Sequence, residues 1–185
     1  SSDEVAGMLV EMAHGFPRSD KTAGYVRDFI SNCDGDFIVV VYSKSNAALL
    51  AFNDYFSRFY AFYHSSPDRF ILSREVKFIL RFIPEIAVDR FGLAQFLMFE
   101  YILGDTTMFR DIRRLLPAAM VQVKCRDKSS GGSLEAKVDE AAGFNFDETV
   151  KNPAKAACIE RLASLFMESL ENRYTTCRDQ SYSCI

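Results

Sequence analysis

The 185-residue chain has no tryptophan and only two histidines. Its five cysteines, Cys33, Cys125, Cys158, Cys177 and Cys184, are widely spaced and form no Cys-x-x-Cys pair. Zinc-ligand spacing is therefore missing, no metal is expected, and an odd number of thiols argues against a secreted disulfide framework. They read as free, buried thiols in a reducing cytoplasm. Basic excess is lacking too. A net charge of -3 and a pI near 5.5 exclude the counterion-displacing surface that nucleic acid requires. Arg110, Arg113 and Arg114 form the one tight basic group, and with nothing to extend it they read as a solvated turn or an interface. No long apolar run exists either: the stretch from Phe91 to Leu103 is cut by Gln95 and Glu100, so no membrane partner is expected.

What the chain does have is phenylalanine, 17 residues of it, which must supply the core volume that tryptophan does not. Its length suffices for one domain, or one domain and the start of another, burying roughly 70% of the unfolded surface. Asp3 or Ser2 can cap a first helix whose apolar positions Val5, Met8, Leu9, Met12 and Phe16 recur at helical spacing, ending near Gly15 and Pro17. A second helix carries Val26, Phe29, Ile30 and Cys33 and is closed by Gly35. Phe37 to Tyr42 reads FIVVVY, a run suited to a strand buried on both faces. Ala48 to Phe52, Phe59 to Tyr63 and Arg69 to Leu72 follow across polar turns, in the pattern of an antiparallel meander.

The period then changes. Val76, Ile79 and Leu80 predict a short helix, and Asp89 caps a longer one bearing Phe91, Phe96, Leu97 and Ile102, stopped by Gly104. Ala119 to Cys125 and Leu134 to Val138 alternate as strands around a Ser/Gly-rich hairpin loop. After a compositional break at Glu140 to Lys151, Asn152 caps a long amphipathic helix with Pro153 in its first turn and Ile159, Leu162, Leu165, Phe166 and Leu170 on one face. Two domains are expected, residues 1–145 and 146–185, both incomplete because each chain end abuts organised structure.

Several segments carry a more specific signal. Gly35-Asp36-Phe37 with its strand, and then LLAFNDYFSRFYAFY from Leu49 to Tyr63, are similar to the G-(D/E/M)-F-A strand and the R-D-x-(F/L)-G-x-x-P-L-Y-Y stretch of the asparagine synthetase family. FILSREVKFIL, Phe70 to Leu80, resembles that family's F-x-F-A-S-E-x-K-x-L-L, with Glu75 and Lys77 in place. Asp89 to Val123 resembles its helix followed by T-x-(F/L)-x-x-I-x-x-L-x-P-(G/A), through Thr107, Phe109, Ile112, Leu115 or Leu116, and Pro117. Four matches in order span residues 35 to 123. Asn53, Ser57 and Tyr60 depart from the pattern, standing where the family has Arg, Gly and Pro, while Asp54 keeps its polar anchor.

The resemblance implies an α+β fold: an N-terminal-nucleophile hydrolase-like α-β-β-α sandwich lacking its first strands, followed by the opening helix of an α/β ATP-pyrophosphatase domain. It implies glutamine hydrolysis by an N-terminal Cys thiol, with an Asn-Gly pair at the oxyanion, feeding ammonia to an aspartate activated by ATP and Mg. None of those catalytic groups is found, so no catalytic residue is expected here and the chain itself needs no cofactor. Asp3 is a tentative ligand for the glutamine α-amine, or a plain helix cap. Ser1 is a poor substitute nucleophile, and Ser130-Gly131-Gly132 is a poor pyrophosphate loop, because no Asp follows it and it leads into a strand. The implied partners are the rest of a longer polypeptide and, in one option, a second copy. The other functional reading is a retired, scaffold-like glutaminase domain of an amide- or β-lactam-forming synthetase.

Overall fold

Between residues 48 and 53 successive side chains enter two different cores. Ala48, Leu50 and Phe52 join one buried cluster, whereas Leu49 and Ala51 pack in another, because neighbouring residues of a strand point to opposite faces. The computed structural model describes residues 6–10, 12, 16, 22–126, 133–143 and 154–176. They divide into two units, Ser1–Gly143 and Phe144–Ile185.

In the first unit, β1 (Ile38–Ser43), β2 (Ala48–Asn53), β6 (Ala119–Arg126) and β7 (Ser133–Glu140) form an antiparallel sheet in the order β1-β2-β6-β7. One face is covered by helix α1 (Thr22–Asn32), which buries Val26, Phe29 and Ile30, and by helical residues 6–10 and 12, with Met12 and Phe16 in the same cluster. Phe29, Phe37 and Phe52 meet edge to face at 5.4 to 6.3 Å between ring centroids, each pair contributing about 0.5–1.5 kcal/mol beyond its buried area. Phenylalanine thus fills the core volume that the absence of tryptophan leaves to it.

The second sheet contains β3 (Phe62–Ser65), β4 (Phe70–Ser73) and β5 (Arg113–Arg114), in the order β4-β3-β5. Ala61, Tyr63, Phe70, Leu72 and Leu115 from this side meet Ala51, Val121 and Val123 of the first sheet in the second apolar cluster, so the two sheets lie face to face. Helix α2 (Val76–Leu80) packs against β3 and β4 and buries Ile79 completely. Helix α3 (Arg90–Phe99) is capped by Asp89, whose side chain accepts from the amides of Phe91 at 2.9 Å and Gly92 at 3.0 Å.

Four expectations are corrected. The strand buried on both faces is β2, not β1: β1 lies at the sheet edge, and Val40 and Tyr42 are 52% and 63% exposed. The meander is interrupted, because β2 pairs with β6 and β3 belongs to the other sheet. Helix α3 ends at Phe99, with Glu100 left-handed at φ 58, well before Gly104, and its apolar residues face outward while Gly92 and Gln95 face inward. The cysteines are not all buried: Cys33 and Cys125 are half-buried and Cys158 is exposed. The hairpin expectation holds, since β6 and β7 pair antiparallel out to Arg126 and Ser133.

In the second unit, α4 (Lys155–Thr176) is a 22-residue helix. Its stripe of Ile159, Leu162, Leu165 and Phe166 is exposed. The capping positions Asn152 and Pro153 lie outside the described residues. No helix among the described residues is long and apolar enough to cross a membrane.

Candidate functional site

The motif residues converge where β2 ends. Asp54, almost fully buried, receives the Phe37 amide on Oδ2 at 3.2 Å and the Phe56 amide on Oδ1 at 2.9 Å. Its own amide donates to the Phe37 carbonyl, and its carbonyl accepts from the amides of Ser57 and Ala118. One residue therefore ties the entry to β1, the exit of β2 and the approach to β6. A carboxylate suits the position, because its two oxygens accept from two separated backbone donors.

Asn53 completes the knot from a wholly buried position. Its Nδ2 donates to the Ser57 hydroxyl and to the Leu116 carbonyl, both at 2.9 Å, and its Oδ1 accepts from the Ala119 amide at 3.1 Å. Ser57 has φ 49, a left-handed conformation that glycine adopts without cost and that disfavours an L side chain. The two departures from the family pattern are thus coupled: serine occupies a turn whose backbone still has the shape glycine favours, and asparagine supplies its partner. An Asn closing a strand with a Ser four residues on was the available signal; its meaning depended on a third segment, residues 116 to 119, remote in sequence.

The other predicted residues are placed differently. Glu75 precedes α2 with an extended backbone and makes no side-chain cap, while its amide donates to Ser73 Oγ at 3.1 Å. Lys77 is exposed on that helix, and neither side chain makes an ion pair among the described residues. Nothing in the contacts brings them to Asp54. Asp3 lies outside the described residues, as do Ser1 and Ser130-Gly131-Gly132.

The turn following the knot carries an unanticipated feature. Arg58, Arg74 and Arg114 each lie over an aromatic ring, those of Phe56, Phe59 and Tyr60, with guanidinium-to-centroid distances of 5.5, 4.5 and 5.7 Å. Arg58 also pairs with Asp36 at 3.1 Å. The basic group at 110–114 reads as an interface between segments: Arg113 lies 3.7 Å from Asp105, and the Arg114 amide donates to the Asp105 carbonyl.

Two side chains elsewhere in the unit have shifted acidities. Burial, and next the charge of Asp105, raise the Tyr63 phenol above its ordinary value against the opposing pull of Arg113. The hydrogen bond from Ser66, with that from Arg69, lowers the exposed Asp68 carboxyl. Among the described residues no three His, Cys, Asp or Glu side chains cluster in a way that could hold a metal ion. The geometry at Asn53 and Asp54 fixes the ends of β1, β2 and β6 to one another.

The family model described as a glutamine amidotransferase domain matches residues 21–132, a span that contains Asn53, Asp54, Ser57, Glu75 and Lys77. No curated protein matches the chain.

Proposed function

The chain belongs to the glutamine amidotransferase domain family, and from that premise we propose that it is the glutaminase-type part of an asparagine synthetase-like protein. In that protein, glutamine or ammonia would supply the nitrogen that converts aspartate to asparagine at the expense of ATP. The chain by itself does not hydrolyse glutamine. One observation carries the reading: the Asp54 knot holds the family-like segments at Phe37, Asp54 and Ala118 together through backbone hydrogen bonds, so their resemblance has a physical basis in one fold.

The facing antiparallel sheets with helices over one of them support a hydrolase sandwich of the N-terminal-nucleophile kind. So do Val40 and Tyr42. They share a strand face with Ile38, which packs between the sheets, yet they are uncovered, as an unfinished second sheet would leave them. The described residues do not fit an ATP site. The segment with Ser130-Gly131-Gly132 joins two paired strands, whereas a phosphate cradle needs the N-terminus of a helix, so no nucleotide step is assigned to this chain. ATP and Mg would belong to the synthetase portion, of which α4 would be the opening helix, residues 146–185 forming the second domain.

The coupled replacement at Asn53 and Ser57 favours a second reading, a retired glutaminase domain that serves as a scaffold, because both polar side chains are consumed internally. The test is asparagine formation by the polypeptide encoded by the whole reading frame, supplied with aspartate, MgATP and either glutamine or ammonium. Asparagine formed from glutamine supports the first reading. Product from ammonium alone assigns the scaffold role, and none from either contradicts the asparagine synthetase assignment.

A further inference from the structure

Of the three arginines stacked on the turn after the knot, Arg58 is answered by an acid, Asp36 at 3.1 Å. The other two are not. Arg74 and Arg114 lie over the rings of the consecutive residues Phe59 and Tyr60, and neither makes an ion pair among the described residues. The Arg114 side chain is half-buried, and its Nε is the one buried side-chain polar atom among the described residues that has no hydrogen-bond partner. Its Nη nitrogens make no hydrogen bond there either and are not buried, so the guanidinium is stripped of water at Nε and open at its outer end.

A charged donor left unmet costs more than a neutral one. Buried polar atoms in folded proteins nearly all have partners, and an exception points to an ion or water that belongs beside it. An anion at the open Nη end offsets the deficit, because its charge acts where water is already excluded from one side. Backbone register brings up the second cation. Phe62 pairs with Ser73 on one side and Arg114 on the other, so these two stand two strand spacings, roughly 10 Å, apart, and Arg74 follows Ser73. Stacking fixes each guanidinium plane and leaves its N–H edge free, so little freedom is lost when an oxyanion is gripped. Two unanswered positive charges match one dianion, and a phosphate group offers oxygens to both. Glu75, exposed and adjacent, pairs with neither arginine and is offset in net charge by Lys77. A nucleic-acid backbone fits poorly, since two charges make no stripe and the chain carries a net -3.

We propose that Arg74 and Arg114, held on the Phe59-Tyr60 turn, form a binding site for a small phosphate-type dianion, inorganic phosphate or a phosphate monoester. Such a site is independent of whether the protein makes asparagine.

The arginine Nε–H resonances of the isotope-labelled 185-residue chain, titrated with inorganic phosphate against sodium chloride of equal ionic strength, test it. The signals of Arg74 and Arg114 are expected to shift together and saturate with phosphate, and to stay in place with chloride. Arg74→Ala, at an exposed position, and Arg114→Lys, which keeps the charge and loses the fork, are each expected to weaken binding about tenfold or more with an unchanged circular dichroism spectrum. Arg81→Gln removes an equal charge from the exposed residue that ends α2 and is expected to leave the affinity within about twofold. No saturable shift, an equal loss in Arg81→Gln, or an Arg74→Ala variant that binds like the wild type overturns the proposal. Saturation by malonate and not by phosphate overturns it too, because the ligand would then be a dicarboxylate.

Discussion

Asn53 donates through Nδ2 to the Ser57 hydroxyl at 2.9 Å, and these are two of the positions at which the chain departs from the asparagine synthetase pattern. Ser57 keeps the left-handed backbone, and Asn53 uses both ends of its amide to join that turn to the segment leading into β6. The pair therefore fixes this turn and its link to β6 through side-chain hydrogen bonds.

Substitutions at Ser57 separate backbone strain from hydrogen bonding. Glycine relieves a left-handed conformation costing about 1–2 kcal/mol while giving up a bond worth about 0.5–1.5 kcal/mol, so Ser57→Gly is expected within about 1 kcal/mol of wild type. Ser57→Ala keeps the strain and loses the bond. Urea titration should rank alanine below glycine; the opposite order would contradict the assigned conformation.

Removing the knot costs more. Asn53→Ala removes an acceptor from the Ala119 amide and a donor from the Leu116 carbonyl, leaving those two only their 3.2 Å bond to each other, and is expected to destabilise the fold by about 1–3 kcal/mol. Asp54→Ala, which deprives the amides of Phe37 and Phe56 of their acceptors, is expected to cost about 2–3 kcal/mol. Because both act on one network, the double variant should lose less than the sum of the singles in the same titration.

At Gly92 two effects oppose each other. Alanine favours a helix by about 1 kcal/mol over glycine. Its Cβ would clash with the Thr107 carbonyl oxygen, a backbone atom that cannot swing aside. Overpacking of this kind costs about 1–3 kcal/mol, so Gly92→Ala is expected to lower the thermal midpoint, whereas Ala94→Gly lowers it only by the propensity difference.

Much of the fold was legible because local rules sufficed. Val26, Phe29 and Ile30 marked α1, Asp89 announced α3 by its capping chemistry, and alternation marked β6 and β7. Position within a sheet was not legible. FIVVVY and ALLAFN are comparably apolar, and only the pairing of β2 with both β1 and β6 makes the second the central strand. Helix α3 misled for a related reason: its apolar periodicity was real, but the periodicity cannot say whether the covering surface lies within the chain. At the candidate site Asp54 was found by its motif, while the role of Asn53 depended on residues more than 60 positions away.

The Tyr63 phenol gives a pH signature. Its folded pKa is raised above the ordinary 10.0, chiefly by burial, so the folded state keeps the proton after the unfolded state has released it. The associated stability is complete below pH 10 and declines as the pH climbs through the folded value. Absorbance titration near 295 nm should show a late-ionising tyrosine that Tyr63→Phe removes. An unchanged titration in that variant would contradict the assignment.

The central proposal is that this glutamine amidotransferase domain does not by itself turn glutamine over. Glutamate release from glutamine by the purified 185-residue chain tests it most directly. No release above a heat-denatured control is predicted, and a sustained turnover that scales with protein concentration would contradict the account.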